Sequence, residues 1–187
     1  MNSLDFTFTI EPWKTTNEEL KYTTNIFKLL KREMKLVSEK RSAVFSIVKA
    51  PDWMNVIPLT PENEIVLVEQ YRYGIENPTL ELPGGVVDPG ENPEDTAHRE
   101  LLEETGYKGN ELEYLGKVSS NPAFLTNYTH MYVLKNCRKI QDQELDGNER
   151  INVHLMPLDD FLDLVADGTV HHSLVVAAIA KFLLRKT

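Results

Sequence analysis

Glu100, Glu103 and Glu104 stand at i, i+3 and i+4. On a helix these positions share one face, so three carboxylates crowd together. At about 4 Å and an effective dielectric near 20, each like-charged pair costs on the order of 4 kcal/mol. A fold stable by about 5–15 kcal/mol does not hold such a cluster half-buried without compensation. Three compensations exist: full solvation, neutralisation by basic side chains, or binding of hard divalent cations such as Mg2+ or Mn2+, which suit carboxylate and carbonyl oxygen. Arg99 is the only basic residue of this segment apart from His98. It follows Glu91 by eight residues, about two helical turns, and can pair with it across the start of the helix. One arginine does not offset Glu94, Asp95, Glu100, Glu103 and Glu104.

An acidic helix face taken alone is ordinary solvated surface. The residues in front of it change that reading. Gly84, Gly85 and Gly90 surround Val86-Val87-Asp88-Pro89, so the backbone can fold tightly and aim carbonyls or amides at a ligand. A strand, a Gly-rich loop and a Glu-rich helix read together as a metal-and-phosphate site.

The elements that must position this site follow from local signals. Asn92 is an N-cap, Pro93 suits the first helical position, and Glu94 and Asp95 favour the positive helix end, so a helix runs to Thr105 and stops at Gly106. Before it, residues 1–20 form an arm or edge strand. Residues 26–37 allow strand or helix, with strand preferred because 38–42 reads as a turn, and further strands are expected over 43–48, 55–59, 64–69 and 79–82. After it come strands at 112–118, 130–136 and 151–156, with a polar loop at 141–150. Two helices finish the chain, one starting at Asp159/Asp160 and ending near Gly168, the other running from Ser173 to about Arg185. That order predicts an α/β or α+β fold with a mixed sheet and helices on its faces.

The chain has 187 residues, enough for one domain and a sizeable core. Its formal charge of −9 argues against a general nucleic-acid binder, which needs a basic face, and leaves room for a small anionic substrate. A lone Cys137 allows no disulfide within the chain and suits a reducing compartment; it has no nucleophile partner and reads as inert. The N-terminus lacks the basic-then-apolar pattern of a secretory signal, and no apolar run reaches the ~18 residues of a membrane span. A cytoplasmic location is the expectation.

The spacing from Gly85 to Tyr107 is specific: five residues to Glu91, seven more, then Arg99-Glu100-Leu101-Leu102-Glu103-Glu104-Thr105-Gly106-Tyr107. This resembles the complete signature of the Nudix hydrolases. Every fixed position matches; Tyr107 stands where the family usually carries an aliphatic residue. The resemblance implies the Nudix fold, a mixed β-sheet between helices in an α/β/α sandwich, with an N-terminal antiparallel strand region over 1–50 and the hydrolase region over 51–187. It implies metal-assisted hydrolysis of a nucleoside diphosphate linked to another group. Glu100 and Glu104 would be the principal ligands of Mg2+ or Mn2+, with Glu103 as further ligand, water holder or base. The Gly84 carbonyl would complete the coordination, and Arg99 and Glu91 would orient the glutamates.

The flanks narrow the substrate. Glu69-Gln70-Tyr71-Arg72-Tyr73-Gly74 and Glu81-Leu82-Pro83-Gly84-Gly85 resemble the branch that cleaves ADP-ribose and nucleoside diphosphate sugars. In that branch an arginine matching Arg72 contacts the diphosphate or terminal ribose, and a glutamate matching Glu81 lies near the metal. The alternatives are a strand arginine in an ion pair and a carboxylate at a sheet end. By the same resemblance, the loop before the 151–156 strand supplies a base or extra ligand: Glu149 first, Glu144 second. Trp13 and Trp53 are candidates for stacking a nucleobase, against the plainer reading of packing. His171-His172 reads as surface. The expected activity is hydrolysis of ADP-ribose or a related nucleoside diphosphate sugar to a nucleoside monophosphate and a sugar phosphate, in a homodimer whose N-terminal strands exchange. Rival readings keep the chemistry on GDP-mannose, NADH or a dinucleoside polyphosphate, or make the chain a non-catalytic Nudix-fold nucleotide sensor.

Overall fold

The computed structural model describes residues 6–145, 147 and 149–185. Two residues of the expected polar loop, Asp146 and Asn148, lie outside them. The chain divides into two units: residues 1–50 with 121–126, and residues 51–120 with 127–187.

The first unit is an antiparallel sheet of β1 (Lys14–Thr23), β2 (Lys28–Leu36) and β3 (Arg41–Lys49), in that order. Thr24 closes the first turn: its hydroxyl accepts the Phe27 amide at 2.9 Å. The second turn carries Lys40 at φ 53°. The 121–126 segment joins the free edge of β3, with the Val48 amide donating to the Phe124 carbonyl and the Thr126 amide to the Val48 carbonyl. β1 is exposed along its whole length. Trp13 packs edge-on against Phe45 with ring centres 5.8 Å apart, and the Arg41 guanidinium lies 5.9 Å from the Trp13 ring.

In the second unit, β7 (Gly84–Val86), β4 (Trp53–Pro58), β10 (Thr129–Lys135) and β9 (Glu111–Val118) form a mixed sheet in that order, with β4 and β10 parallel and the rest antiparallel. A second sheet runs β12 (Ile151–Pro157), β5 (Glu64–Arg72), β6 (Asn77–Glu81). Short strands β8 (Tyr107–Lys108) and β11 (Arg138–Lys139) pair with each other. Gly84–Val86, expected as loop, is therefore a strand: three residues carry no readable period, and its pairing to β4 is a long-range event.

Helices cover both faces, as the sandwich expectation requires. One face buries Met54, Val56, Tyr132 and Leu134 beneath Ala97 and Leu101 of α1 (Pro93–Thr105). The other buries Ile57, Met131 and Val133 beneath Phe161 of α2 (Leu158–Ala166) and Val175, Ile179 and Phe182 of α3 (Ser173–Leu184). Strand alternation sends neighbours to opposite cores, so β4, β5 and β10 carry buried apolar residues at both odd and even positions, with the buried Asn55 interrupting β4. At about 1.5–3 kcal/mol per fully buried large apolar side chain, these layers hold the frame that carries the glutamates.

Candidate active site on helix α1

α1 begins and ends where its local chemistry dictates. Asn92 is extended at φ −85°, ψ 142°, and Pro93 occupies the first turn, although the Asn92 side chain makes no cap and reaches Asp95 instead. Gly106 takes the left-handed conformation at φ 75°, and its amide donates to the Leu102 carbonyl.

The three glutamates share a face but not a depth. Glu103 is 42% exposed and Glu100 15%. Glu104 is only 5% exposed, because it continues the buried stripe of Ala97 and Leu101. Gly85 makes room for this face: a Cβ there would stand 2.1 Å from Glu100 Oε1.

Arg99 organises the outer part. Its Nε and Nη2 donate to the two oxygens of Glu91, each at 3.0 Å. Its Nη1 donates to Glu100 Oε1 at 2.8 Å and to Glu103 Oε2 at 3.0 Å. The paired arginine, with help from the Thr96 hydroxyl and the Asp88 amide, outweighs the opposing effect of burial and holds the Glu91 carboxyl down at about 2. Glu91, Arg99, Glu100 and Glu103 are thus one connected group.

Glu104 lies outside that group. Its Oε2 accepts the Gly84 amide at 2.9 Å. Burial, seconded by the charges of Glu100 and Glu149, pushes its carboxyl up to about 8, against the Gly84 hydrogen bond and the positive charge of Arg72. Glu100 is raised too, by burial first, with Glu103 and Glu149 adding and Arg99 opposing. Among the described residues, no three His, Cys, Asp or Glu side chains already stand in a metal-binding arrangement. In this arrangement Glu100 and Glu103 face Arg99, and Glu104 faces the β7 backbone.

Beside the helix, Arg72 and Glu81 form a two-pronged pair. Arg72 Nε donates to Glu81 Oε1 at 2.7 Å and Nη2 to Oε2 at 2.6 Å. The β5–β6 hairpin sets this up: Arg72 pairs with Asn77, Gln70 with Thr79 and Val68 with Glu81, so the even positions of β5 and the odd positions of β6 face the same way. Glu81 is 1% exposed, and the Thr79 hydroxyl also donates to it. Burial alone would raise its pKa, yet the Arg72 and Thr79 hydrogen bonds bring it below the ordinary value. The structure thus shows the ion-pair alternative for Arg72.

The loop acids part company. Glu149 acts on Glu100 and Glu104 through its charge, whereas the Glu144 carboxylate accepts from Gln141 Nε2 at 2.9 Å. Glu149 and Arg150 also line a cleft of about 340 Å3 with Tyr71 and Tyr73, whose rings meet edge to face. Trp53 opens β4, half-buried, with its amide donating to the Tyr128 carbonyl. Trp13 belongs to the other unit.

Two residues escaped the sequence reading. His172, expected on the surface, is half-buried: its Nδ1 has no partner, burial lowers its pKa, and it feels both Glu81 and Arg72. Its dipeptide looks like surface because the groups around it come from β5 and β6, a hundred residues earlier in the chain. Gln143 donates through Nε2 to the Glu104 carbonyl at 2.6 Å and to the Ile151 carbonyl at 3.2 Å. A glutamine in a polar loop gives no sequence signal of this. Cys137 is buried, and burial pushes its thiol up to about 12, which fits the inert reading.

Comparison with known proteins adds the family. The chain is 34% identical over 167 residues to the methanol dehydrogenase activator of Bacillus methanolicus, covering 89% of this chain and 90% of that protein. It is 31% identical over 174 residues to the ADP-ribose pyrophosphatase of Bacillus subtilis (strain 168), covering 92% and 94%. A crystal structure of an ADP compounds hydrolase superposes with a TM-score of 0.80 at 22% identity, covering 95% of each chain, and so shares the fold. The NUDIX domain model matches residues 51–178, which contain all of the α1 acids and the Arg72–Glu81 pair. This chain belongs to the NUDIX family.

Proposed function

We propose that the chain hydrolyses the pyrophosphate bond of ADP-ribose or a related nucleoside diphosphate sugar with Mg2+ or Mn2+, releasing a nucleoside monophosphate and a sugar phosphate. The observation that carries this reading is Glu104, a buried carboxyl with one backbone hydrogen bond and a pKa pushed to about 8. Such a group is costly to ionise in place and gains most from a cation. The donor set fits a hard divalent ion: Glu100, Glu103, Glu104 and the Gly84 carbonyl would hold it, with Glu100 and Glu103 yielding their Arg99 contacts. The ion supplies charge withdrawal from the diphosphate and a more acidic bound water.

The chain's own residues do the rest. Arg99, anchored on Glu91, keeps the outer glutamates oriented. Arg72 has five N–H donors and gives two to Glu81, leaving the others for phosphate or ribose oxygen. Glu149, with Glu103 as the rival, takes the proton of the attacking water. Water adds to one phosphorus, and the bridging oxygen departs with the other phosphate.

Monophosphate release from ADP-ribose with Mg2+, and none with EDTA, tests the reading; no release from any member of a nucleotide-sugar panel overturns it. A second reading follows from the name of the Bacillus methanolicus relative: activation of a partner dehydrogenase. Activation that survives Glu104→Gln would favour it over hydrolysis.

We also infer a homodimer in the cytoplasm. The first unit leaves Leu20 and Tyr22 of β1 and Val44 and Phe45 of β3 exposed, apolar side chains that a second copy can cover. A monomer by sedimentation would overturn that part alone. Among the described residues no helix is long and apolar enough to cross a membrane.

A further inference from the structure

We propose that Gln143 is a positioning residue that fixes Glu149 against α1; this deepens the hydrolase reading and rests on it. The loop after β11 is stitched to carbonyls at the C-terminal end of α1 and its Gly106 cap. The Ile140 and Gln141 amides donate to the Gly106 carbonyl at 2.9 and 3.3 Å, and the Glu144 amide donates to the Glu103 carbonyl at 2.9 Å. Gly106 allows this approach: a Cβ there would stand 2.1 Å from the Gln141 carbonyl oxygen.

Gln143 completes the series and does something the backbone contacts do not. Its single carboxamide nitrogen donates both to the Glu104 carbonyl and to the Ile151 carbonyl. Glu104 is the most buried of the three helix acids, and Ile151 opens β12 two residues after Glu149. One side chain therefore ties the departing and returning ends of the loop to the helix residue whose carboxyl faces the site. Glu144 and Glu149 lie between these ties, and Glu149 is the acid whose charge reaches Glu100 and Glu104. The helix carbonyls left over at a C-terminus need partners in any case. The backbone amides serve the Glu103 and Gly106 carbonyls; Gln143 serves the Glu104 carbonyl and, unlike a cap alone, also reaches the Ile151 carbonyl at the start of β12.

A double-mutant cycle separates positioning from capping. Gln143→Ala lowers kcat at least tenfold on ADP-ribose with KM within about twofold, and adds no further loss in a Glu149→Gln background. Gln143→Lys, whose ammonium has three donors for the same two carbonyls, restores part of the rate. Amide exchange at Glu144 quickens in Gln143→Ala and slows again in Gln143→Lys. Gln143→Met, close in volume, serves if the alanine variant does not fold. Equal losses in both backgrounds, a fall in Tm with kcat unchanged, or a Glu149→Gln enzyme of wild-type rate each overturn the inference while hydrolysis by the wild type stands. A wild-type protein that hydrolyses nothing in the panel overturns the functional reading, and this one with it.

Discussion

Glu81 and Glu104 are buried to nearly the same depth and behave oppositely. Glu81, 1% exposed, meets a guanidinium and a hydroxyl and titrates below its ordinary value. Glu104, 5% exposed, meets one backbone amide and two like charges and is pushed up to about 8. Depth sets the size of the desolvation penalty, and the partner decides who bears it. One carboxylate has its charge answered by a cation within the fold; the other has only a backbone amide.

The sharpest way to break that contrast is Glu104→Gln. It keeps the acceptor for the Gly84 amide and removes the charge, so kcat falls by several orders of magnitude while circular dichroism is unchanged. In EDTA at pH 8 the same variant is more stable than wild type, by an amount on the order of a few kcal/mol, because it no longer ionises a buried carboxyl. Near-normal turnover would remove Glu104 from the chemistry.

Arg72→Ala tests the opposite partner. It strands the Glu81 charge, at a cost of about 3–5 kcal/mol for a broken buried pair. A thermal melt should drop by roughly 2–4 °C for each kcal/mol lost. Substrate affinity weakens as well, read as a rise in KM larger than the fall in kcat. Arg72→Lys recovers less than a charge count suggests, since it lacks the two-pronged geometry.

Stability against pH, followed in EDTA, brings both carboxylates into one curve. The folded pKa of Glu81 lies below 4.5, so its contribution is present above that pH and disappears as the medium is acidified further. Glu104 works the other way. Its contribution is complete below 4.5 and is lost as pH rises toward about 8. Urea midpoints should therefore decline from mildly acidic to mildly basic pH, and Mg2+ should flatten the decline. A curve that rises across that interval would contradict the burial of Glu104. The smallest effect belongs to Glu91→Gln. It weakens the Arg99 fork at a partly wetted site, for roughly 1 kcal/mol, and removes the Glu91 share of the acid-side dependence between 4.5 and about 2, leaving that of Glu81.

The sequence reveals most where signals are local. Pro93 and Gly106 bound α1 to the residue because both act through their own backbone. The separation of eight residues, about two turns, predicted that Glu91 and Arg99 can pair, and the pair is seen. The shared face of Glu100, Glu103 and Glu104 was legible, but their order of depth was not. That order depends on Ala97 and Leu101 docking against β4 and β10, and a polar residue on an apolar stripe reads as noise. β7, β8 and β11 are two or three residues long and exist only through their partners. The Arg72–Glu81 pair needs a hairpin register, His172 needs that hairpin delivered to the start of α3, and Gln143 needs both ends of its loop. None of these has a period or a cap to announce it.

The six residues 121–126 add a consequence for anyone dividing the protein. They interrupt the hydrolase region in the chain yet extend the N-terminal sheet, lending backbone groups to Val48. A truncation that starts at Pro51 would strip this insert of its neighbour, leaving the Phe124 carbonyl and Thr126 amide to water. A fragment stopping at Ala50 would present β3 as a raw, adhesive margin. Neither piece can be cut out by a single scission without breaking the backbone pairing at Val48.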